Sequence, residues 1–99
     1  KLSKAKQYMD TSSFNNFYKE TGEAVNNYLQ EKYGIATEDL NKKYISQFLL
    51  NFSNSESLIA QYNNISGKAE LSIYGGYNNP EMLDVFNDAK SFIEALEMN

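Results

Sequence analysis

Hydrophobic residues recur along most of this chain at the three- and four-residue spacing of amphipathic helices. Between residues 13 and 33 they fall on one arc about 140° wide when successive residues are placed about 100° apart. The same spacing predicts further helices at residues 38–52, 54–65 and 80–97. Short connections favour antiparallel neighbours. We therefore expect a mainly α fold, a small helical bundle in which residues 1–99 form a single domain.

Residues with strong preferences for helix ends support these limits. Gly34 follows the first predicted helix, and a left-handed glycine commonly ends a helix. Thr37 precedes the second and suits an N-cap position. Asn79 and Pro80 open the last helix as an N-cap residue followed by a proline at the first helical position. The sequence therefore indicates where several of the helices begin or end.

One stretch, residues 68–74, departs from the helical spacing. It alternates polar and apolar side chains and predicts a short strand. A capping box at residues 53–56 favours the helix at 54–65, so the strand would have to pair with the N-terminal arm or with another molecule. The alternative is an α+β fold in which residues 57–74 form a hairpin and the strand has a partner within the chain.

The apolar face of each predicted helix identifies the expected core. On the last helix it covers about 120°, the width of a face that packs on one side. On the helix at 38–52 it covers about 180°, which is typical of a central helix or of one that shows part of its face to a partner. Residues 1–10 have the spacing of a short helix or a frayed arm. The expected core residues are Phe17, Tyr28, Tyr44, Phe48, Val85, Ala89, Phe92 and Ile93.

The absence of some residue types excludes several kinds of chemistry. The chain has no histidine and no cysteine, so it lacks an imidazole base, a thiolate nucleophile and the usual zinc ligands. Asp84 and Asp88 stand four residues apart with Glu81 nearby, but carboxylates on one helix face are more often solvated than bound to a metal. We predict that the protein is not an enzyme and has no cofactor or metal site.

The net charge of −4 limits the possible partners, because all nine positive charges are lysines and no arginine is present. Arginine is the side chain best suited to phosphate and guanine contacts, so the composition argues against nucleic acid as a partner. No apolar run is long enough to span a membrane, so we predict no membrane partner. An acidic protein is better matched to a basic protein surface.

The segment between the predicted strand and the last helix is the best candidate for a binding loop. Its tyrosines and asparagines are residue types that antibody paratopes use for contact area and hydrogen bonding. An ordinary turn is the alternative, because glycine and asparagine dominate turns for backbone reasons. On the adjoining helix, Leu83 lies outside the apolar arc and could mark the edge of an interface. The predicted binding residues are Tyr74, Tyr77, Asn78, Glu81, Leu83, Asp84 and Asp88.

These features predict a small, acidic, non-enzymatic protein-binding module. The class of protein that fits best is an inhibitor or neutralising protein, such as an immunity protein, an antitoxin or a phage-encoded inhibitor, that docks on a basic surface. A second hypothesis is a ligand-binding domain of an exported protein, in which the tyrosine-rich loop holds a sugar or peptide. A third is a structural subunit that adds its unpaired strand to the sheet of a partner.

Overall fold

The backbone is helical through nearly all of the chain that the structure describes. The computed structural model describes residues 2–10, 14–73 and 82–98. The helices in these ranges are α1 (Ser3–Asp10), α2 (Phe14–Tyr33), α3 (Lys42–Leu49), α4 (Ser55–Ile73) and α5 (Met82–Glu97), with a 3-10 turn at Thr37–Asp39. They form a compact bundle with extents of 36 × 25 × 22 Å. The prediction of a mainly α, small helical bundle is confirmed.

Helix α2 lies at the centre of the bundle and packs against α1, α4 and α5. Its buried face includes Phe17, Val25 and Leu29, none of which is exposed to solvent. The helix ends at Gly34 as the sequence predicts. This glycine has a φ of 68°, and its N–H donates to the carbonyl of Gln30 at 2.9 Å. Only glycine adopts this left-handed conformation without a steric penalty, which explains why the helix stops here.

Helix α3 is shorter than the prediction of 38–52 and does not have the predicted cap. Residues 37–39 form a separate 3-10 turn, and Asn41 is the N-cap residue. The side chain of Asn41 accepts a hydrogen bond from the Tyr44 N–H at 2.9 Å, whereas Thr37 caps nothing. Leu40 interrupts the helix because its backbone (φ −81°, ψ 69°) is not helical. Glu38 and Asp39, which the sequence predicts as part of this helix, therefore belong to a different element.

The prediction of a strand at 68–74 is wrong for residues 68–73, and so is the alternative hairpin at 57–74, because α4 continues to Ile73. Tyr62, Ile65 and Ala69 lie along one side of this helix at its inner face. A helix satisfies its own backbone hydrogen bonds, whereas a lone strand among helices would leave its N–H and C=O groups unpaired. Whether residues 68–73 form a helix or a strand therefore depends on the neighbouring helices and not on the local alternation of side chains.

Most of the predicted core residues are buried. Phe17, Tyr28, Val85, Ala89, Phe92 and Ile93 are confirmed, and Phe48 is partly buried in a group of aromatic rings with Tyr33 and Phe52. The prediction for Tyr44 is wrong, because 40% of this side chain is exposed. The reason is that α3 buries only Ile45 and Leu49 and packs mainly against α4, so half of its broad apolar arc has no helix over it.

A helix that crosses a membrane needs about 20 consecutive, predominantly apolar residues. No helix in the described parts of the chain is long and apolar enough to cross a bilayer.

Candidate functional site

Three of the seven predicted binding residues lie on α5, near its N-terminal end. Tyr74, Tyr77, Asn78 and Glu81 lie outside the described residues. Leu83, Asp84 and Asp88 can be placed, and α5 presents them on two different sides.

Helix spacing puts Leu83 on the same side of α5 as residues that line a groove shared with α1. The side chain of Leu83 is 58% exposed. Phe86 and Lys90 follow it at the spacings of three and seven residues that place side chains on one helix face. Both of these residues line a groove of about 430 Å³ between α1 and α5. Leu83 is therefore an exposed apolar side chain next to this groove.

The groove, which we call the α1–α5 groove, has an apolar centre and a charged rim. Leu2 and Phe86 are partly buried in it, and Ile93 is 7% exposed. Lys6, Lys90 and Glu94 are exposed at its edges. An apolar centre surrounded by polar residues is the arrangement found where one protein binds another.

Asp84 and Asp88 lie on the other side of α5. Helix geometry places Asp84 about 100° from Leu83. Asp88 is half-buried, and its Oδ2 accepts a hydrogen bond from the side-chain amide of Asn64 on α4 at 2.8 Å. Asp88 therefore contributes to the contact between α4 and α5, and Asp84 is the more exposed of the two. The structure places the two aspartates on one side of α5 and Leu83 on another.

Helix α5 carries a large part of the negative charge of the protein. Between Met82 and Glu97 it has four carboxylates and one lysine, whereas α3 has two lysines and no carboxylate. No group of three or more carboxylates in the described residues lies close enough to hold a metal ion. The carboxylates of α5 therefore form a diffuse negative surface, which attracts positive charge without a defined ligand site.

The other end of α5 is held by Lys32 of α2. The ammonium group of Lys32 donates to the carbonyl of Leu96 at 2.6 Å and to the hydroxyl of Tyr28 at 3.2 Å. Partial desolvation lowers the pKa of Lys32, but the hydrogen bond to Tyr28 and the electrostatic influence of Tyr33, Tyr28 and Glu97 together outweigh it and raise this pKa above its ordinary value. A cation at the last turn of a helix is stabilised by the helix dipole, so Lys32 fixes the position of α5 in the bundle.

Sequence reasoning did not find the α1–α5 groove. Its residues come from the two ends of the described chain, and α1 was expected only as a short helix or a frayed arm. The exposed leucine was the only local signal, because the contact between α1 and α5 depends on how both helices pack against α2.

Comparisons of this chain with protein-family models, with characterised proteins and with solved structures find no significant match.

Proposed function

We propose that this chain is a non-enzymatic protein-binding module of the inhibitor or neutralising type, and that it docks on a basic protein surface through α5. The main support for the proposal is that Leu83 is exposed beside the α1–α5 groove. A leucine that is 58% exposed lies beside a groove whose apolar side chains are only partly covered. Exposed apolar groups next to an apolar groove with a charged rim are a common basis of protein recognition.

In this proposal, Leu83 and the α1–α5 groove supply the apolar contact. A partner would cover Leu83 and insert an apolar side chain between Leu2 and Phe86. Contacts of this kind, enclosed by polar residues that exclude water, provide most of the binding energy in protein interfaces.

The carboxylates of α5 have a different role. Charges at the edge of an interface mainly increase the rate at which partners meet, and salt screens this effect. Of the two aspartates, Asp84 is the more available for this role, because Asp88 accepts a hydrogen bond from Asn64. Four carboxylates against one lysine on α5 favour a partner that turns a basic surface to the aspartate side of the helix, whereas the groove rim carries Lys6 and Lys90 with Glu94.

The other two hypotheses have less support. The residues that would hold a sugar or peptide in the 74–79 loop lie outside the described residues. The hypothesis of a subunit that adds a strand to a partner loses its basis, because residues 68–73 are helical.

Affinity capture with this chain as bait, followed by binding kinetics with the captured protein, tests the proposal. We expect the association rate to fall as salt is added, and Asp84→Asn to lower the rate and its salt dependence. Glu38→Gln is the control, because it removes an exposed carboxylate outside α5. An association rate that is independent of salt, or that falls equally in both variants, would contradict docking through α5.

A further inference from the structure

Helix α1 is held in the bundle by few side chains. Of the side chains that the structure describes in this helix, only Ala5 is fully buried, and Tyr8 is partly buried. Leu2, just before the helix, is also partly buried, and its carbonyl accepts from the Lys6 N–H at 2.9 Å. Each of the other helices buries at least two larger side chains. Helix α1 therefore contributes least to the core.

These contacts decide whether α1 stays in place, because an isolated helix shorter than about 12–15 residues is marginal in water. Helix α1 has 8 residues. A segment with few buried apolar contacts opens at a lower free energy than the core does. Helices α2, α4 and α5 pack against one another without the help of α1. We therefore expect α1 to leave the bundle while the other helices remain folded.

A groove lies on each side of α1. One is the α1–α5 groove, and the other is a groove of about 270 Å³ between α1 and α2, which we call the α1–α2 groove. Ser3 lines both, so α1 separates them. Tyr28 lines the α1–α2 groove and Ile93 the α1–α5 groove, and these side chains are 6% and 7% exposed. Departure of α1 would join the two grooves into one surface across α2 and α5.

The charges of this surface complement those of α1. Lys4 lines the α1–α2 groove and Lys6 lines the α1–α5 groove, so a lysine stands on each side of the apolar residues 2, 5 and 8. Helix α1 is thus an amphipathic helix with lysines beside its apolar side. The charged residues of α2 and α5 that line the two grooves are Glu20, Glu23, Glu31, Lys90 and Glu94.

We propose that α1 is a displaceable helix, and that a lysine-bearing amphipathic helix of the partner takes its place on α2 and α5. This inference rests on the proposed function, in which the partner has a basic surface. The partner would first contact Leu83 and the α1–α5 groove, and displacement of α1 would extend the contact over α2. A longer helix with side chains larger than that of Ala5 would bury more apolar surface than α1 does, which offsets the lost contacts of α1.

Hydrogen exchange of backbone amides in the whole chain tests whether α1 opens by itself. The N–H groups of Lys6 and Tyr8 represent α1, and those of Val25 and Leu29 represent α2. The α1 amides should be protected about 100-fold less or weaker still, because local opening is easier than global unfolding. Equal protection in both helices would show that α1 opens only when the whole protein unfolds, and it would overturn the proposal.

A peptide with the sequence of residues 1–10 is the probe for the surface under α1. In the parent chain it must compete with α1 itself, which is present at a high effective concentration because it is covalently linked. Ala5→Asp places a charge at a buried position and should release α1, so this variant should bind the peptide about tenfold more tightly than the parent or better. Gln7→Asp makes the same change of charge at an exposed position of α1 and should bind like the parent.

The same titration tests the class of helix that the surface accepts. Shifts of the amide signals of Tyr28 and Ile93 in the ¹⁵N-labelled chain report binding on both sides of the surface. A second peptide that carries Lys4→Glu and Lys6→Glu should bind Ala5→Asp about fivefold more weakly or worse, because its charges repel the carboxylates.

Equal affinity of Ala5→Asp and Gln7→Asp for the first peptide would overturn the displacement of α1. Equal affinity for the two peptides would overturn the lysine-bearing partner helix. The circular dichroism spectrum of Ala5→Asp verifies that it is folded, and hydrogen exchange of the parent gives a result even if it is not. None of these measurements uses the captured partner, so a failure here is distinct from a failure of docking at Leu83.

Discussion

The close contact between α2 and α4 predicts that Gly22→Ala destabilises the protein. In an isolated helix this substitution would add about 1 kcal/mol of stability. Here the new methyl carbon would lie 2.9 Å from the Cβ of Ala69, well inside the usual carbon–carbon contact distance of roughly 3.5–4.0 Å. Both atoms are attached directly to helix backbones, so neither can rotate away, and the helices must separate.

Overpacking of this kind costs about 1–3 kcal/mol, so the net result should be a loss of about 1 kcal/mol. Chemical denaturation followed by far-ultraviolet circular dichroism measures it. Gly67→Ala is the matched control, because its added Cβ would meet only the Nζ of Lys42, at 3.7 Å. That flexible side-chain end can move, so Gly67→Ala should increase stability by up to about 1 kcal/mol.

A double-mutant cycle shows whether Ala69 is the cause of the loss. Ala69→Gly alone should lower the free energy of unfolding by about 1 kcal/mol. Combined with Gly22→Ala, it moves one methyl group from α4 to α2, and the double variant should be about as stable as the parent. If Gly22→Ala stabilises the protein as much as Gly67→Ala does, α2 and α4 do not meet at these residues and the helical assignment of residues 68–73 is wrong.

Three further substitutions test other contacts. Phe92→Ala should cost about 3–5 kcal/mol of unfolding free energy, because the ring is fully buried; a loss below about 1 kcal/mol would show that α5 is rotated differently. Tyr33→Phe should leave stability unchanged or raise it by up to about 1 kcal/mol, since the Tyr33 hydroxyl is buried without a hydrogen-bond partner among the described residues. In contrast, Tyr28→Phe should lower stability, because it removes an acceptor of Lys32. Burial also raises the pKa of Tyr33 above its ordinary value of 10.0. The folded protein therefore holds this proton more tightly than the unfolded chain, so its stability should fall as the pH rises above 10.0. Denaturation experiments at increasing pH should show a smaller loss of stability for Tyr33→Phe than for the parent.

The parts of the fold that the sequence predicted are those specified by local chemistry. The end of α2 at Gly34 depends on one backbone conformation that glycine favours, and the buried face of α5 follows from side-chain spacing alone. Neither depends on which helix packs where. Such features can be deduced from the residues themselves.

Three of the errors have a common physical cause. Residues 68–73 alternate like a strand but also carry Ala69 at the position where α2 approaches, and only the neighbouring helix decides between the two structures. Tyr44 was placed in the core because the apolar arc of its helix is broad, yet the width of an arc does not show which part of it is covered. The α1–α5 groove was missed for the same reason, since it joins residues distant in the sequence.

The dissociation rate of the complex with a captured partner tests the proposed function most directly. Leu83→Ala should raise this rate by about tenfold or more, because it removes the exposed apolar contact beside the α1–α5 groove. Leu50→Ala is the matched control, since Leu50 is a leucine of similar exposure, 65% against 58%, at the end of α3. Both variants should keep the thermal stability of the parent. An unchanged dissociation rate for Leu83→Ala, or an equal increase for Leu50→Ala, would contradict the claim that this protein binds its partner through α5.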